Sequence, residues 1–175
     1  RQRQMCIRDR NAGAYGGEMK DVVVAASVMD RRGEIRVLSP EELQLSYRHS
    51  VLQEDGRIVL DITLEVVPAN GAEVLAKMEE LSQRRISKQP LEMPSAGSVF
   101  KRPEGCFVGP LIEKAGLKGF RIGGAQISVK HAGFIVNAGN ATAADVLALI
   151  LYIRNKIWTD YQVQLKPEVL IIGEE

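Results

Sequence analysis

The sequence has few cysteines, few aromatic residues and no excess of either charge. Its two cysteines, Cys6 and Cys106, form neither a disulfide framework nor a metal-ligand spacing, which predicts free thiols in a reducing compartment and no metal site. The 23 basic and 22 acidic residues are interspersed and leave a net charge of +1, so nucleic acid and anionic membranes are not expected partners. A small or moderate-sized ligand is the better expectation.

Long hydrophobic runs are also missing. No stretch reaches the roughly 18 apolar residues of a membrane span, and no signal-peptide-like segment opens the chain, so we expect a cytoplasmic protein. What the sequence does contain is a 45% share of hydrophobic residues. That share is enough to bury one or two modest cores and excludes intrinsic disorder.

The first ten residues, RQRQMCIRDR, show neither helical nor strand periodicity and run directly into a glycine-rich segment. We interpret residues 1–10 as a foreign segment that takes no part in the fold. A frayed basic terminus is the alternative.

Three strand patterns and a capped helix organise the chain up to Pro68. Residues 22–29 are rich in β-branched side chains and predict a strand, which returns as a hairpin through residues 35–38. Ser39 precedes a proline and two acids, which predicts the start of a short helix. Residues 57–67 predict a further strand that Pro68 ends, and we place a domain boundary there.

Helical periodicity replaces the strand patterns after Pro68. An amphipathic helix is predicted from about residue 71, with Val74, Leu75, Met78 and Leu81 on one face. Residues 89–97 predict a loop, residues 109–116 a short helix, and residues 126–129 and 134–136 short strands. Thr142 and Asp145 form a capping box that opens a long helix to about Trp158, and residues 169–172 predict a last strand. The order of these helices and strands predicts an α+β fold with an antiparallel or mixed sheet.

The segment NAGAYGG at residues 11–17 combines three glycines with two alanines. Backbone amides in such a segment can approach a pyrophosphate or a ring without an intervening side chain. The spacing does not satisfy the dinucleotide-binding pattern G-x-G-x-x-G, and an ordinary glycine-rich turn is the alternative.

Ser98 follows a glycine and precedes Lys101 and Arg102. A serine hydroxyl on a tight turn can donate a proton to a carbanion while neighbouring cations meet phosphate or carboxylate. A loop with solvated charges is the alternative. A hydrolase with Ser98 and His131 is disfavoured, because the chain has no G-x-S-x-G elbow.

Two further charged residues are candidates for ligand contact. Arg48, in the polar stretch at residues 47–50, can form a bidentate pair with a carboxylate, although most arginines lie on the surface without such a role. Glu168 stands at the threshold of the predicted strand at residues 169–172, where a carboxyl group can polarise a ligand. A glutamate that faces only water is the alternative.

These segments resemble, in order, the UDP-N-acetylenolpyruvoylglucosamine reductase family. The resemblance runs from residue 11 to residue 175, and its motifs are NAGAYG (11–16), YRHS (47–50), PSAGSVFKRP (94–103), GLKG (116–119), GGAQ (123–126), KHAGFIVN (130–137), GNAT (139–142) and LKPEV (165–169). It implies that residues 11–68 are the end of a flavin-binding domain and residues 70–175 an α+β substrate-binding domain. It also implies reduction of UDP-N-acetylglucosamine enolpyruvate by NADPH through FAD, in peptidoglycan precursor synthesis.

The resemblance implies a role for each candidate residue. Ser98 would be the proton donor, and Arg48 and Glu168 would bind and polarise the substrate carboxylate. Tyr47, Lys88, Gly97, Lys101 and His131 would contact the substrate. The flavin contacts would come from Asn11, Ala12, Gly13, Ala14, Tyr15 and Gly16.

The sequence departs from the family pattern at two positions, and an N-terminal flavin-binding segment is missing. Arg10 stands where the family has glycine, which supports a foreign junction, and Lys166 stands where an acidic residue is common. The family's own pyrophosphate loop is absent, so the whole enzyme's activity does not carry over to this polypeptide directly. A non-catalytic nucleotide-sugar-binding fragment without flavin is the main alternative, and a purely structural domain is the third.

Overall fold

The structure, a computed structural model, describes residues 10–172. The predicted foreign segment therefore lies outside the described residues except for Arg10. The chain divides into two compact units, Arg1–Asn70 and Gly71–Glu175, and the division falls just past Pro68.

The first unit contains a small hairpin and a three-stranded antiparallel sheet. The hairpin is β1 (Gly13–Ala14) with β2 (Gly17–Glu18). The sheet has the order β4-β3-β5, formed by β3 (Val23–Met29), β4 (Ile35–Leu38) and β5 (Ile58–Leu64). The predicted hairpin and long strand are thereby confirmed, although β5 ends three residues before residue 67.

Two short helices pack on this sheet. The first, α1 (Pro40–Leu43), begins at the predicted cap, where Ser39 N donates to Glu42 Oε2 at 2.8 Å and Ser39 Oγ accepts from Glu42 N at 3.3 Å. The second, α2 (Leu52–Asp55), was not predicted. One face of the sheet and the two helices enclose a core made of Val23, Ala26, Val28, Leu38, Leu43 and Leu52.

The described part of the second unit contains three helices. They are α3 (Gly71–Lys88), α4 (Val108–Lys114) and α5 (Ala143–Tyr161). The predicted capping box opens α5, since Asp145 N donates to Thr142 Oγ1 at 3.1 Å and Thr142 N donates to Asp145 Oδ2 at 2.9 Å. The predicted amphipathic helix is present as α3, and none of its residues is buried.

A four-stranded antiparallel sheet completes the second unit in the order β6-β9-β8-β7. Its strands are β6 (Ser95–Ser98), β7 (Arg121–Ile122), β8 (Ala125–Ile127) and β9 (Phe134–Asn137). Helix α5 buries Leu149, Ile150, Ile153 and Ile157 in a core shared with Ile127 and Ile135 of the sheet. This arrangement confirms the predicted α+β class.

Two expectations about strands are wrong. Residues 95–97, expected in a loop, open β6. The strand expected at residues 169–172 is absent from the described chain, and Leu170, Ile171 and Ile172 are largely exposed. The pairing of β6 with β9 is irregular between Ser95 and Ser98, where Gly97 has φ 92°, and a bulge of this kind bends an edge strand away from a further partner.

Among the described residues, no helix combines the length and the apolar character required to cross a membrane.

Candidate functional site

The glycine-rich segment forms the tip of the β1–β2 hairpin. Tyr15 and Gly16 are its two central residues and both have positive φ, 54° and 89°, as a type I′ turn requires. Residues 14–17 are exposed, and a Cβ placed on Gly16 or Gly17 would meet no atom within 4 Å. The hairpin therefore presents open backbone with little side-chain cover.

Tyr47 and Arg48 form the tip of a second tight turn in the first unit. Ser46 and His49 close this turn with two reciprocal backbone hydrogen bonds of 3.1 Å. The Arg48 guanidinium carbon lies 5.2 Å from the centroid of the Tyr47 ring, and Arg48 itself has φ 54°. A positive φ is uncommon for arginine and is typical of residues that the surrounding structure holds in place.

In the second unit the backbone brings Ser98 and Glu168 together. Glu168 N donates to the carbonyl of Val99 at 2.7 Å, and Lys101 N donates to the carbonyl of Lys166 at 2.9 Å. Phe100 and Pro167 lie opposite each other between these two bonds. At this position the backbone N–H would point away from the partner segment, so proline, which has no N–H, is tolerated there. Ser98 is thus the exposed last residue of a strand and not part of a tight turn, and Glu168 lies in an extended segment beside the strand's continuation.

His131 lies in the β8–β9 connection at the same end of the sheet. Its ring contacts Phe134 edge to face at 5.0 Å, and Phe134 is the Cα partner of Ser98. Its Nδ1 accepts a 3.0 Å hydrogen bond from Gly133 N, which assigns the proton of the neutral ring to Nε2. Burial, followed by the nearby Lys118 charge, lowers the pKa of His131 below its ordinary 6.5, so the ring is neutral at pH 7.

Two glycines leave room for the His131 ring. A Cβ on Gly133 would lie 2.9 Å from its Cε1, and a Cβ on Gly109 would lie 3.2 Å from the same atom. Ser128, which is 2% exposed, holds the backbone of the connection, because its Oγ accepts from Lys130 N at 3.1 Å and from His131 N at 3.2 Å. Sequence reasoning did not single out these supporting residues, although serine is a turn-forming residue whose hydroxyl can bond nearby backbone groups.

Lysine and arginine side chains that the sequence analysis proposed as ligand contacts, together with two neighbouring ones, lie on the segments around this end of the sheet. Lys101 follows the strand, and the neighbouring Arg102 guanidinium lies 3.8 Å from the centroid of the Phe107 ring. Lys88 is the exposed last residue of α3. Lys130 Nζ donates to the carbonyl of Ile86 at 2.7 Å and to Glu92 Oε2 at 3.3 Å, which attaches the end of α3 to the connection that carries His131.

The second unit thus gathers a hydroxyl, a carboxylate, a neutral imidazole and a lysine, namely Ser98, Glu168, His131 and Lys101, around one end of its sheet. Ser98 pairs with Phe134, which alternates with the core residue Ile135, so Ser98 lies on the face opposite α5. The first unit separately presents the glycine-rich hairpin and the Tyr47–Arg48 turn. The class of protein is therefore a two-unit α+β protein whose second unit carries a polar site at a sheet end.

Comparison with known proteins shows which family the second unit resembles. Residues 89–172 match the model of the UDP-N-acetylenolpyruvoylglucosamine reductase C-terminal domain. The match covers most of the second unit, and the resemblance inferred from the sequence is confirmed for this C-terminal domain.

Individual relatives extend the match beyond the C-terminal domain. The chain is 56% identical over 165 residues to the UDP-N-acetylenolpyruvoylglucosamine reductase of Latilactobacillus sakei and 54% identical to that of Alkaliphilus oremlandii, covering 94% of this chain and 54% of each relative. The crystal structure of the reductase from Thermus caldophilus is similar, with a TM-score of 0.79 and 37% identity over 94% of this chain and 57% of that one. The chain spans about half the length of the curated relatives it matches.

Proposed function

We propose that this chain supplies the substrate-binding part of an enzyme that reduces UDP-N-acetylglucosamine enolpyruvate to UDP-N-acetylmuramate in peptidoglycan precursor synthesis, a cytoplasmic reaction. The observation that carries the proposal is the pairing of residues 99–101 with residues 166–168, which fixes Glu168 beside the strand that ends at Ser98. Reduction of the enolpyruvyl group needs a proton donor and a group that stabilises developing negative charge. The Ser98 hydroxyl can supply the proton, and a carboxyl group at Glu168 can stabilise the charge if it donates a hydrogen bond to the oxygen on which that charge develops.

The roles follow the family resemblance and the chemistry of the side chains. Ser98 gives its hydroxyl proton to the carbon that becomes carbanionic, and Arg48 and Glu168 bind the substrate carboxylate as charge develops on it. The nucleotide sugar and its diphosphate are bound by Lys88, Lys101 and the Nε2–H of neutral His131. Tyr47 and Gly97 complete the substrate contacts.

The residues present fit a flavin at the hairpin. Residues 12–16 offer backbone groups beside alanine and glycine, with Tyr15 as the one large side chain, and nothing lies within 4 Å of a Cβ on Gly16. When bound, FAD would pass a hydride from NADPH to the methylene carbon of the enolpyruvyl group. The chain's own part is to hold the substrate and to provide the proton that completes the two-electron reduction.

Ser98→Ala tests the proposal in a full-length, flavin-loaded enzyme that contains the sequence of this chain. We expect reduction of the flavin by NADPH to stay near the parent rate, and reoxidation by substrate to slow by roughly 10²–10⁴-fold, the usual contribution of general acid catalysis. Stopped-flow absorbance separates the two half-reactions. Ser95→Ala is the matched control at the start of the same strand. An equal loss in both half-reactions, or no loss in reoxidation, contradicts the assigned role.

Nucleotide-sugar binding without catalysis is the second candidate. It is favoured by the location of Ser98, Lys101, His131 and Glu168, all of which lie in the unit that holds the matched C-terminal domain. Titration of the 175-residue chain with the substrate by calorimetry, alongside its flavin absorbance, distinguishes the two. Substrate binding without flavin supports the second candidate for this chain.

A further inference from the structure

Asn11 is a buried residue with a fully used side chain. It is 1% exposed, its Nδ2 donates to Glu18 Oε2 at 2.9 Å and to the carbonyl of Ser46 at 3.1 Å, and its Oδ1 accepts from Lys20 N at 2.9 Å. Both amide hydrogens therefore have partners within the protein. The side chain has no donor left for a cofactor, in contrast to the flavin contact that the family resemblance implies.

The bond to Ser46 reaches across the first unit to the Tyr47–Arg48 turn. The carbonyl of Ser46 accepts from His49 N at 3.1 Å as well as from Asn11, so the group that closes the turn is also the group that Asn11 holds. A carbonyl oxygen has two lone pairs, and both are occupied here. Asn11 thereby fixes the base of the turn relative to the glycine-rich hairpin.

The turn needs such support because of the conformation at Arg48. Its φ of 54° lies in the left-handed region, which costs a non-glycine residue free energy unless the surroundings enforce it. Without the bond from Asn11, the turn can relax toward conformations in which Arg48 returns to negative φ. That relaxation would redirect the guanidinium.

We propose that Asn11 is a positioning residue that holds the Tyr47–Arg48 turn in the conformation that presents Arg48 to an anionic ligand. The choice of ligand rests on the proposed function, in which Arg48 binds the enolpyruvyl carboxylate. Glu18 and Lys20 belong to the same cluster, since Lys20 Nζ lies 3.0 Å from Glu18 Oε2 and the Lys20 hydrogen bond, followed by that of Asn11, lowers the pKa of Glu18.

Asn11→Asp is the sharpest test, because aspartate has the same size and keeps an acceptor for Lys20 N while it loses both donors. In the 175-residue chain we expect Arg48 to lose the strong intraresidue HN–Hα NOE of a positive φ, and the amide shifts of residues 46–49 to move. Asn11→Gly, which tolerates the φ of 48° at this position and removes the side chain, should act in the same direction if the aspartate variant unfolds.

The ratio of the affinities for two ligands is a measurement that a general loss of stability would not change. The parent chain should bind UDP-N-acetylglucosamine enolpyruvate more tightly than UDP-N-acetylglucosamine, which lacks the carboxylate. Asn11→Asp should reduce that preference by roughly tenfold or more, and Arg48→Ala should do the same, since a charge-assisted contact is lost. Val28→Ala, which thins the core of the same unit without touching the turn, should keep the preference.

The NMR measurement and the ligand-preference measurement distinguish failure of the positioning role from failure of the proposed function. Retention of positive φ at Arg48 in both Asn11 variants overturns the positioning role. A parent chain that shows no preference for the enolpyruvyl ligand contradicts the proposed function for this chain, and the NMR result still decides the role of Asn11. An equal loss of preference in Val28→Ala reduces Asn11 to a general stabilising residue and overturns the inference.

Discussion

At the residue scale, burial at His131 makes the stability of the second unit depend on pH. Burial lowers the pKa of His131 in the folded chain below its ordinary value of 6.5. The unfolded chain then binds the proton more tightly than the folded chain, so this residue's contribution to stability is present above about 6.5 and is lost as the pH falls through the folded-state pKa. We expect the thermal unfolding midpoint to fall between about pH 7.5 and 5, and His131→Gln to reduce that fall.

His49 provides the matched control, because it is the other histidine of the sequence. It lies in the first unit, with its Nε2 3.6 Å from Glu54 Oε1. His49→Gln should leave the His131-dependent part of the pH profile in place. A profile that responds to His49→Gln and not to His131→Gln contradicts the assignment.

Glu168 allows side-chain chemistry to be tested with little change in backbone position, because its own N–H anchors it to Val99. If Glu168 stabilises charge on the substrate, Glu168→Gln should keep part of the activity, since the amide can still donate a hydrogen bond, while Glu168→Ala should lose far more. The measurement is substrate-driven flavin reoxidation in the flavin-loaded enzyme, with unfolding midpoints recorded for both variants. Glu104→Gln, at an exposed position of the same unit, is the control, and parent rates in both Glu168 variants would remove Glu168 from the site.

At the element scale, the start of α5 depends on close backbone contact with the β7–β8 turn. Asp145 Oδ2 accepts from Gly124 N at 3.2 Å in addition to its capping bond, and a Cβ on Gly124 would collide with the carbonyl oxygen of Gly139 and the amide nitrogen of Ala141. Gly124→Ala should therefore lower the free energy of unfolding by about 1–3 kcal/mol, the usual cost of overpacking. Urea denaturation measures this loss.

Gly71→Ala is the control for that substitution. A Cβ on Gly71 meets no atom within 4 Å, and the residue begins α3, so alanine should be neutral or slightly stabilising there. If Gly124→Ala and Gly71→Ala change the free energy of unfolding equally, the backbone of residues 139–141 shifts to accommodate the added methyl group at little cost.

Elements defined by local signals were predictable, and elements defined by distant partners were not. The caps at Ser39 and Thr142 depend on residues three positions away, and both capping boxes are present. The apolar run at residues 169–172 has strong strand propensity, yet a strand also requires a partner edge, and the bulge at Gly97 interrupts the nearest one. Propensity alone carries no information about that edge.

At the scale of the whole molecule, the candidate site was recognised through ordered motifs and not through local chemistry. Ser98 and Glu168 are far apart in sequence, and no local pattern indicates that the backbone of residues 166–168 pairs with residues 99–101. The internal role of the Asn11 side chain was also invisible, because its decisive partner is the carbonyl of Ser46. Almost every residue type has the same backbone N–H and C=O groups, so the sequence does not reveal which of them form long-range hydrogen bonds.

Flavin retention is the prediction that concerns the whole chain. The chain spans about half the length of its curated relatives, and its candidate flavin contacts come from one small exposed hairpin. A contact surface of that size does not offset the cost of immobilising a large ligand, so we expect little FAD to remain after dialysis. The absorbance of the dialysed protein near ~450 nm, a general flavin property, measures retention, and a stoichiometric flavin band contradicts the expectation.

The pairing of Phe100 with Pro167 has a consequence for how the second unit acquires its site. The two segments of this contact are separated along the chain by α4, three strands and the long helix α5. Contacts of such high sequence separation form late, because the intervening chain must first be ordered. On the ribosome, the residues of the sheet and of α5 emerge before Glu168 does, so Glu168 joins the charged end of the site after them.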